Sequence, residues 1–198
     1  MKMKKLTGIL LAAVLTFSLA GCGAVSVDGE APAKTSADAG ESAPAEGEAT
    51  GSGSVGLAIS TLNNPFFVTL SEGAQAAAKE NNVELIVVDA GDDAAKQTSD
   101  IEDLISRNIS VLIVNPVDSD AVAPAVKDAM AKGIKVVSVD RVVNGVEVDC
   151  AIASDNVAGA KAATEYLISL VGEGAKVAEL QGVPGASATI DRGEGFHQ

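Results

Sequence analysis

Short apolar runs alternate with amphipathic segments along the chain from Val55 onward. The runs read "VGLAIS", "VELIVVDA", "SVLIVNP" and "IKVVSVD", and they are rich in β-branched residues. Between them, apolar side chains recur at helical spacing over residues 65–81, 94–107 and 120–132. Near-continuous apolar strands separated by such helices are typical of a parallel sheet that is covered on both faces. The pattern predicts an α/β fold with a doubly wound parallel sheet.

The alternation loosens after Asp140. A loop or hairpin, "RVVNGVEVD", carries an Asn-Gly turn signal and leads to a short predicted strand, "AIAS". A helix over 155–171, a strand "KVAELQG" and a helix beginning near Ser187 follow, and the sequence stops inside that last helix. We therefore expect one domain over 55–154 and the incomplete beginning of a second over 155–198. Either other material completes the second domain, or the sequence is incomplete.

The N-terminal region has the features of an export signal. Residues 1–21 combine a basic start with an apolar stretch that is short for a membrane span, which predicts a signal peptide. The motif "LAGC" ending at Cys22 is typical of a bacterial lipobox, in which Cys22 becomes diacylated and tethers the protein to a membrane. The alternative is an ordinary signal peptide that happens to contain a cysteine. Residues 22–54 are rich in Gly, Ala, Ser, Pro and Glu, which predicts a flexible acidic linker.

The numbers of charged residues and of cysteines limit the possible functions of the protein. The 198 residues include 27 acidic and 14 basic side chains, giving a formal charge of −13. Nucleic-acid binding needs clusters of Lys and Arg, so this balance argues against it. Cys150 is the only cysteine besides Cys22, and acylation of Cys22 would leave it without a disulfide partner. We expect Cys150 to be a small packed residue.

Polar and aromatic side chains follow the predicted strands. Because ligands of doubly wound sheets bind beyond the carboxyl ends of the strands, we expect these side chains to converge there. They include no nucleophile–base pair, metal cluster or phosphate loop, so the sequence predicts a binding site without catalytic residues, cofactor or metal. The side chains concerned are Ser60, Asn63, Asn64, Phe66, Phe67, Asp89, Asn115, Asp118, Asp140 and Arg141, with Arg192 in the last helix.

This mixture suits a sugar. The apolar face of a pyranose packs on aromatic rings, and Phe66 and Phe67 are adjacent in a chain with 3% aromatic residues. Asp140 can accept bonds from hydroxyls, whereas Arg141 and Arg192 can donate them. Asn64 can do both.

Each of these residues also has a structural interpretation. Neighbours on a helix point about 100° apart, so one of the two phenylalanines is expected in the core. Asn64 before a proline is a good helix N-cap, and Asp118 to Asp120 would cap the third helix. Asp140 and Arg141 could form a surface ion pair of little energetic value. Arg192 could lie on a solvated helix face.

Several motifs together resemble the ribose-binding proteins of bacterial ABC importers, in the pentose/hexose family of type I periplasmic binding proteins. They are "STLNNPFF", "NPVDSDAV", "VDR", "IASDN", "GEGAKV", "ELQG" and "RGEGF", and the resemblance covers residues 55–198. It implies two α/β lobes that close on the sugar about a hinge with a crossing near Ser154.

The resemblance also implies roles for individual residues. Ser60, Asn64, Phe66 and Phe67 would face the sugar from the first lobe, where Asp140 and Arg141 would clamp its hydroxyls. Arg192 would be a contact from the second lobe. The family's second lobe continues well beyond "RGEGF", so by this comparison the sequence looks truncated at its C-terminus.

The resemblance implies an extracytoplasmic protein that captures ribose and delivers it to an ABC permease, and the lipobox predicts that it is lipid-anchored. A chemoreceptor is a further candidate partner. Allose, galactose or a furanosyl signal is the alternative ligand, and a non-functional fragment is the alternative for this chain. A transcription regulator would need an N-terminal helix-turn-helix in place of the signal. A glycosidase would need two flanking carboxylates, and neither Asp89 nor Asp140 has an evident acid/base partner.

Overall fold

The structure is a computed structural model that describes residues 53–198. The predicted signal peptide, the lipobox with Cys22 and all but the last two residues of the predicted linker lie outside the described residues. No helix in the described part of the chain is both long enough and apolar enough to cross a membrane.

Within residues 53–198, five parallel strands form one sheet in the order β2-β1-β3-β4-β5. Val55 of β1 is paired with Leu85 on one side and with Val111 on the other. The chain moves outward from β1 to β2, then returns to the other side of β1, which is the doubly wound arrangement that the sequence predicted. The strands are β1 (Val55–Ile59), β2 (Leu85–Asp89), β3 (Val111–Val114), β4 (Lys135–Val139) and β5 (Cys150–Ile152).

In the described part of the chain, five helices connect and follow the strands. Asn64 caps the first of them, since its side chain accepts a hydrogen bond from the backbone N–H of Phe66, and Pro65 occupies the first helical turn. Asp93 caps the second helix in the same way, by accepting from Ala95 and Lys96. The helices are α1 (Pro65–Glu80), α2 (Ala94–Ser106), α3 (Ala123–Ala131), α4 (Asn156–Val171) and α5 (Ser187–His197).

The start of the third helix differs from the prediction. Helix α3 begins at Ala123, and its N-cap residue Val122 makes no side-chain capping bond. Asp118 instead accepts bonds from the backbone N–H groups of Asp120 and Ala121, at 2.9 and 2.8 Å. The carboxylate therefore closes a turn ahead of the helix, because its short side chain bonds most readily to backbone two or three residues on.

Two local predictions after residue 149 are wrong. The segment "KVAELQG" is not a strand, because it pairs with no neighbouring strand among the described residues, and Leu180 within it is 97% exposed. Cys150 is exposed rather than packed. It lies in β5, which has a partner on one side only and is exposed at each of its residues.

The core is built around β1. Leu57, Ala58 and Ile59 are all fully buried although successive strand residues point to opposite faces, so this strand is covered on both sides. An apolar cluster lies between the sheet and helices α2 and α3. Burying one such aliphatic side chain contributes about 1.5–3 kcal/mol to folding. Fully buried members of the cluster are Ala58, Ile101, Leu104, Leu112, Val114, Val126, Ala129 and Val136.

The start of α5 is attached to the carboxyl edge of the sheet by hydrogen bonds. The backbone N–H of Ser187 donates to the hydroxyl of Ser119 at 3.1 Å, and the Ser187 hydroxyl accepts from the N–H of Val142 at 3.0 Å. The N–H of Ser119 donates to the carbonyl of Gly185 at 2.9 Å. Gly185 has a φ of +81°, and a Cβ there would overlap the carboxylate of Asp118, so only glycine fits this contact without a shift.

An ion pair fixes the loop before β5. Lys135 Nζ donates to Asp149 at 2.7 Å, and the second oxygen of Asp149 accepts from the N–H of Val136 at 2.9 Å. The bond from Lys135 and the one from Val136 lower the pKa of Asp149 below its ordinary value. A carboxylate of lowered pKa contributes stability that is present above its unfolded pKa and is lost as pH falls through the folded value.

We therefore expect the free energy of unfolding to fall as the pH drops below about 4, and Asp149→Asn to remove part of that decrease. Urea unfolding of both proteins between about pH 3 and pH 7 measures this difference. Asp103→Asn is the matched control, since it removes an exposed ion pair with Arg107 within one helix. An identical acid dependence in the native chain and in Asp149→Asn would contradict the expectation.

Candidate functional site

A cavity of about 230 Å³ lies beyond the carboxyl ends of the strands. Three parts of the chain contribute to it: the turn after β1 with the start of α1, the residues directly after β4, and the N-terminal half of α5. Five of the seven residues that border it belong to the set predicted from sequence. The lining residues are Asn64, Phe66, Asp140, Arg141, Ala188, Thr189 and Arg192.

Asn115 joins three strand ends behind this cavity. Its side-chain oxygen accepts from the N–H and the hydroxyl of Ser60, at 3.2 and 2.6 Å. Its side-chain nitrogen donates to the carbonyl of Val139 at 3.1 Å and lies 3.5 Å from a carboxylate oxygen of Asp140. The strand order reverses between β1 and β3, so Asn115 occupies the switch point where ligands of doubly wound sheets bind.

Asp140 follows β4 directly and adopts a left-handed backbone conformation. Its φ is +65°, in the left-handed region that aspartate and asparagine tolerate better than most residues. Its N–H donates to the carbonyl of Ile152 at 2.7 Å, which ties the turn to β5. The carboxylate lies 3.7 Å from Nε of Arg141, and a quarter of the Asp140 side chain is exposed. These acceptor oxygens are thus held at the cavity wall.

Arg141 is buried, with 8% of the residue exposed. Its Nη1 donates to the carbonyl of Pro116 at 2.7 Å, and its guanidinium carbon lies 5.1 Å from the centre of the Phe67 ring. Burial lowers the pKa of Arg141 below its ordinary value, Arg192 adds to that effect, and Asp140 and Asp92 oppose it. An arginine stays protonated at neutral pH even so. The pair with Asp140 is therefore a partly desolvated ion pair and not the surface pair considered as an alternative.

The two phenylalanines divide between core and surface. Phe67 is 3% exposed, whereas Phe66 is 56% exposed and borders the cavity. Their rings meet edge to face with centroids 5.3 Å apart. Phe67 packs beneath Arg141, so Phe66 alone of the pair presents its ring to the cavity. One of the two therefore faces something other than the core, as the sequence predicted.

The structure brings together most of the predicted site residues. Ser60 is fully buried and bonds to Asn115, so it lies behind the cavity and not on its surface. Arg192 reaches the cavity from α5. Ala188 and Thr189 were missed, because their approach depends on the attachment of Ser187 to Ser119, which no local pattern encodes.

A wider cleft of about 730 Å³ opens next to the cavity. It runs between α4, α5 and the segment 178–183, and it shares Arg141, Thr189 and Arg192 with the smaller cavity. Of the other predicted residues, Asn64, Phe66 and Asp140 border the smaller cavity and not the wider cleft. The site residues predicted from the sequence are therefore concentrated around the smaller cavity.

The cavity can recognise a small molecule that has both polar and apolar surfaces. Carboxylate and amide oxygens accept hydrogen bonds, guanidinium groups donate them, and the Phe66 ring offers an apolar face. Within residues 53–198, no group of three or more His, Cys, Asp or Glu side chains could hold a metal ion. The arrangement suits reversible binding of a polyhydroxylated compound.

The chain matches the model of one protein family and is similar in sequence to known proteins of that kind. The model of the periplasmic binding protein domain matches residues 55–198. The ribose import binding protein RbsB of Bacillus subtilis is 51% identical over 143 residues, which cover 72% of this chain and 47% of that protein. The RbsB of Escherichia coli is 46% identical over 157 residues, which cover 79% of this chain and 53% of that protein.

A solved structure of a binding protein is also similar to this chain. The crystal structure of the Caulobacter myo-inositol binding protein bound to myo-inositol matches with a TM-score of 0.69 and 32% identity, covering 75% of this chain and 50% of that one. The chain spans about half the length of the curated relatives it matches.

The division of the two phenylalanines can be tested by stability. We expect Phe67→Ala to lower the free energy of unfolding by about 3–5 kcal/mol, because it leaves a cavity in a packed site. Phe66→Ala should lower it by less than about 1 kcal/mol, because that ring is largely exposed. Chemical denaturation of both variants measures the difference, and equal losses would contradict the assignment of one ring to the core.

Proposed function

The chain belongs to the periplasmic binding protein family, and from that membership we propose that it captures ribose outside the cytoplasm for an ABC importer. The observation that carries the proposal is the convergence of Asn64, Phe66, Asp140, Arg141 and Arg192 on one cavity. The high identity to ribose import binding proteins from two organisms supports ribose as the ligand. We propose this function for the whole protein, because the chain spans about half the length of these relatives.

The geometry supports a role for each residue. The carboxylate of Asp140, held beside Arg141, would accept bonds from two neighbouring hydroxyls, and Arg192 would donate from the opposite wall. Phe66 would pack on the C–H face of the sugar ring. Arg141 and Asp140 are already paired and partly desolvated, so little reorganisation would accompany binding. Binding of this kind needs no nucleophile, which supports a transport role and not an enzymatic one.

The proposal includes delivery and location. The captured sugar would pass to the membrane permease of the importer, and a chemoreceptor is a second candidate partner. Cys22 would carry the lipid that holds the protein at the membrane surface, with residues 22–54 as the tether. These assignments rest on the sequence motifs and on the family, since residues 1–52 lie outside the described part of the structure.

Asp140→Asn tests the binding site directly. Asparagine has nearly the same shape and tolerates the same positive φ, so the variant loses the negative charge and exchanges one acceptor oxygen for a donor. In the complete protein we expect micromolar or tighter binding of ribose, and a loss of about 10- to 100-fold in the variant, since a hydrogen bond to a charged group is worth about 1.5–3 kcal/mol. Isothermal titration calorimetry measures both. Glu102→Gln, at an exposed position of α2, is the matched control, and unchanged affinity in Asp140→Asn would refute the site.

A panel of sugars separates ribose from the alternative ligands. Thermal-shift measurements with ribose, allose, galactose and a furanosyl compound should show the largest stabilisation with ribose, because a ligand that binds only the folded state raises its stability. A larger shift with another sugar would keep the family and replace the ligand. The absence of a shift with every sugar would overturn sugar capture.

The lipid anchor is tested by Cys22→Ser. We expect the native protein to partition with membranes and to carry two acyl chains on Cys22, because stable anchoring takes more than one chain. The serine variant should be recovered without membrane and without that added mass. Intact-mass spectrometry of the extracted protein measures both, and an unmodified Cys22 in the membrane fraction would contradict lipidation.

A further inference from the structure

Gln97 is a fully buried polar side chain inside the core helix α2. It is 1% exposed, although glutamine is usually a surface residue. A buried amide is costly unless its donor and acceptor are both satisfied. Both are satisfied here, and both partners belong to the short segment that follows β3. Such a residue has a specific structural task.

The two hydrogen bonds of Gln97 hold both ends of this segment. Its Nε2 donates to the carbonyl of Asn115 at 2.9 Å, and its Oε1 accepts from the N–H of Val117 at 2.8 Å. The side-chain amide therefore pairs with the main chain in the way that a neighbouring strand would. The residue between the two partners is Pro116, which has no N–H of its own to fix its position.

The segment held by Gln97 contacts both charged residues of the candidate site. The carbonyl of Pro116 accepts the 2.7 Å bond from Nη1 of Arg141. The side chain of Asn115 bonds to the carbonyl of Val139 and approaches the Asp140 carboxylate. A displacement of residues 115–117 would thus move the partners of Arg141 and of Asp140 together. Gln97 itself is not among the residues that border the cavity.

We propose that Gln97 is a positioning residue, which sets the orientation of Arg141 and Asp140 through Asn115 and Pro116. The role of Arg141 and Asp140 in sugar capture rests on the proposed function. The orientation of their side chains is independent of that function. Chains of hydrogen bonds inside a protein strengthen one another, and removal of one member leaves the others misaligned or unpaired. Sequence spacing gives no sign of this role, since Gln97 lies in the first turns of a helix.

The test compares Gln97→Met with variants of Ile101, one turn further along α2. Methionine keeps the length and the helical preference of glutamine and removes both hydrogen bonds. Ile101 is fully buried and apolar, so Ile101→Val and Ile101→Ala lower stability and remove neither hydrogen bond of Gln97. Thermal unfolding of all three variants identifies the control whose loss of stability matches that of Gln97→Met.

Two measurements follow on the full chain. In a ¹H–¹⁵N NMR spectrum we expect Gln97→Met to move the side-chain Nε–Hε signal of Arg141 and the backbone amide signal of Asp140, and the matched control to leave both in place. In ribose titrations we expect a loss of affinity on the order of tenfold for Gln97→Met, and less than about twofold for the control.

The outcomes separate this proposal from the proposed function. Unmoved signals of Arg141 and Asp140 in Gln97→Met would overturn the positioning role, and so would an equal movement in the matched control. If the unsubstituted chain binds no ribose but the signals of Arg141 and Asp140 still move in Gln97→Met, the positioning role is upheld and sugar capture is refuted. If Gln97→Met does not fold, Gln97→Asn replaces it, because it keeps a neutral amide and shortens its reach to Asn115 and Val117 by one methylene.

Discussion

The hydrogen bonds of Asn115 are the interaction on which the site depends. A parallel sheet whose strand order reverses leaves a gap at the carboxyl ends of β1 and β3, where backbone groups no longer pair with a neighbouring strand. Asn115 fills this gap by bonding to Ser60 on one side and to Val139 on the other. Because Asn115 is fully buried, each of its bonds must be made or the fold loses the full cost of desolvating the group. The strand ends are thereby fixed relative to one another before any ligand arrives.

Because the strand ends are fixed, the polar residues that follow them form a site at the edge of an otherwise apolar sheet. Asp140 and Arg141 follow β4 directly, and their orientation comes from the positive φ of Asp140 and from the bond between Arg141 and Pro116. The third part of the site, α5, is attached separately, through Ser187 and Ser119. The cavity therefore combines a rigid edge of the sheet with a helix that is held by a few hydrogen bonds. Such an arrangement can admit a ligand between its two sides without disturbing the core.

Packing is uneven along the described chain. Residues of β1, β3 and β4 are buried by helices α2 and α3 in one apolar cluster. After residue 150, large apolar side chains such as Tyr166, Leu170 and Leu180 are exposed. The segment 176–182 has the composition of a strand but no neighbour to pair with among the described residues. A strand exists only where a second backbone completes its hydrogen bonds, so composition alone was not sufficient there.

Local pattern determined most of the fold and part of the site. The alternation of apolar runs and amphipathic helices was enough for the parallel sheet and its helices, because a 2-residue and a 3.6-residue period can be read directly from the chain. The cap at Asn64 and the placement of Asp140 and Arg141 after a strand also followed from sequence. The tertiary structure alone decided that Phe66 is exposed and Phe67 buried, that Ser60 lies behind the cavity, and that Thr189 borders it. It also revealed Gln97 as a support for the strand ends. These facts depend on contacts between residues far apart in the chain, and such contacts leave no periodic trace in the sequence.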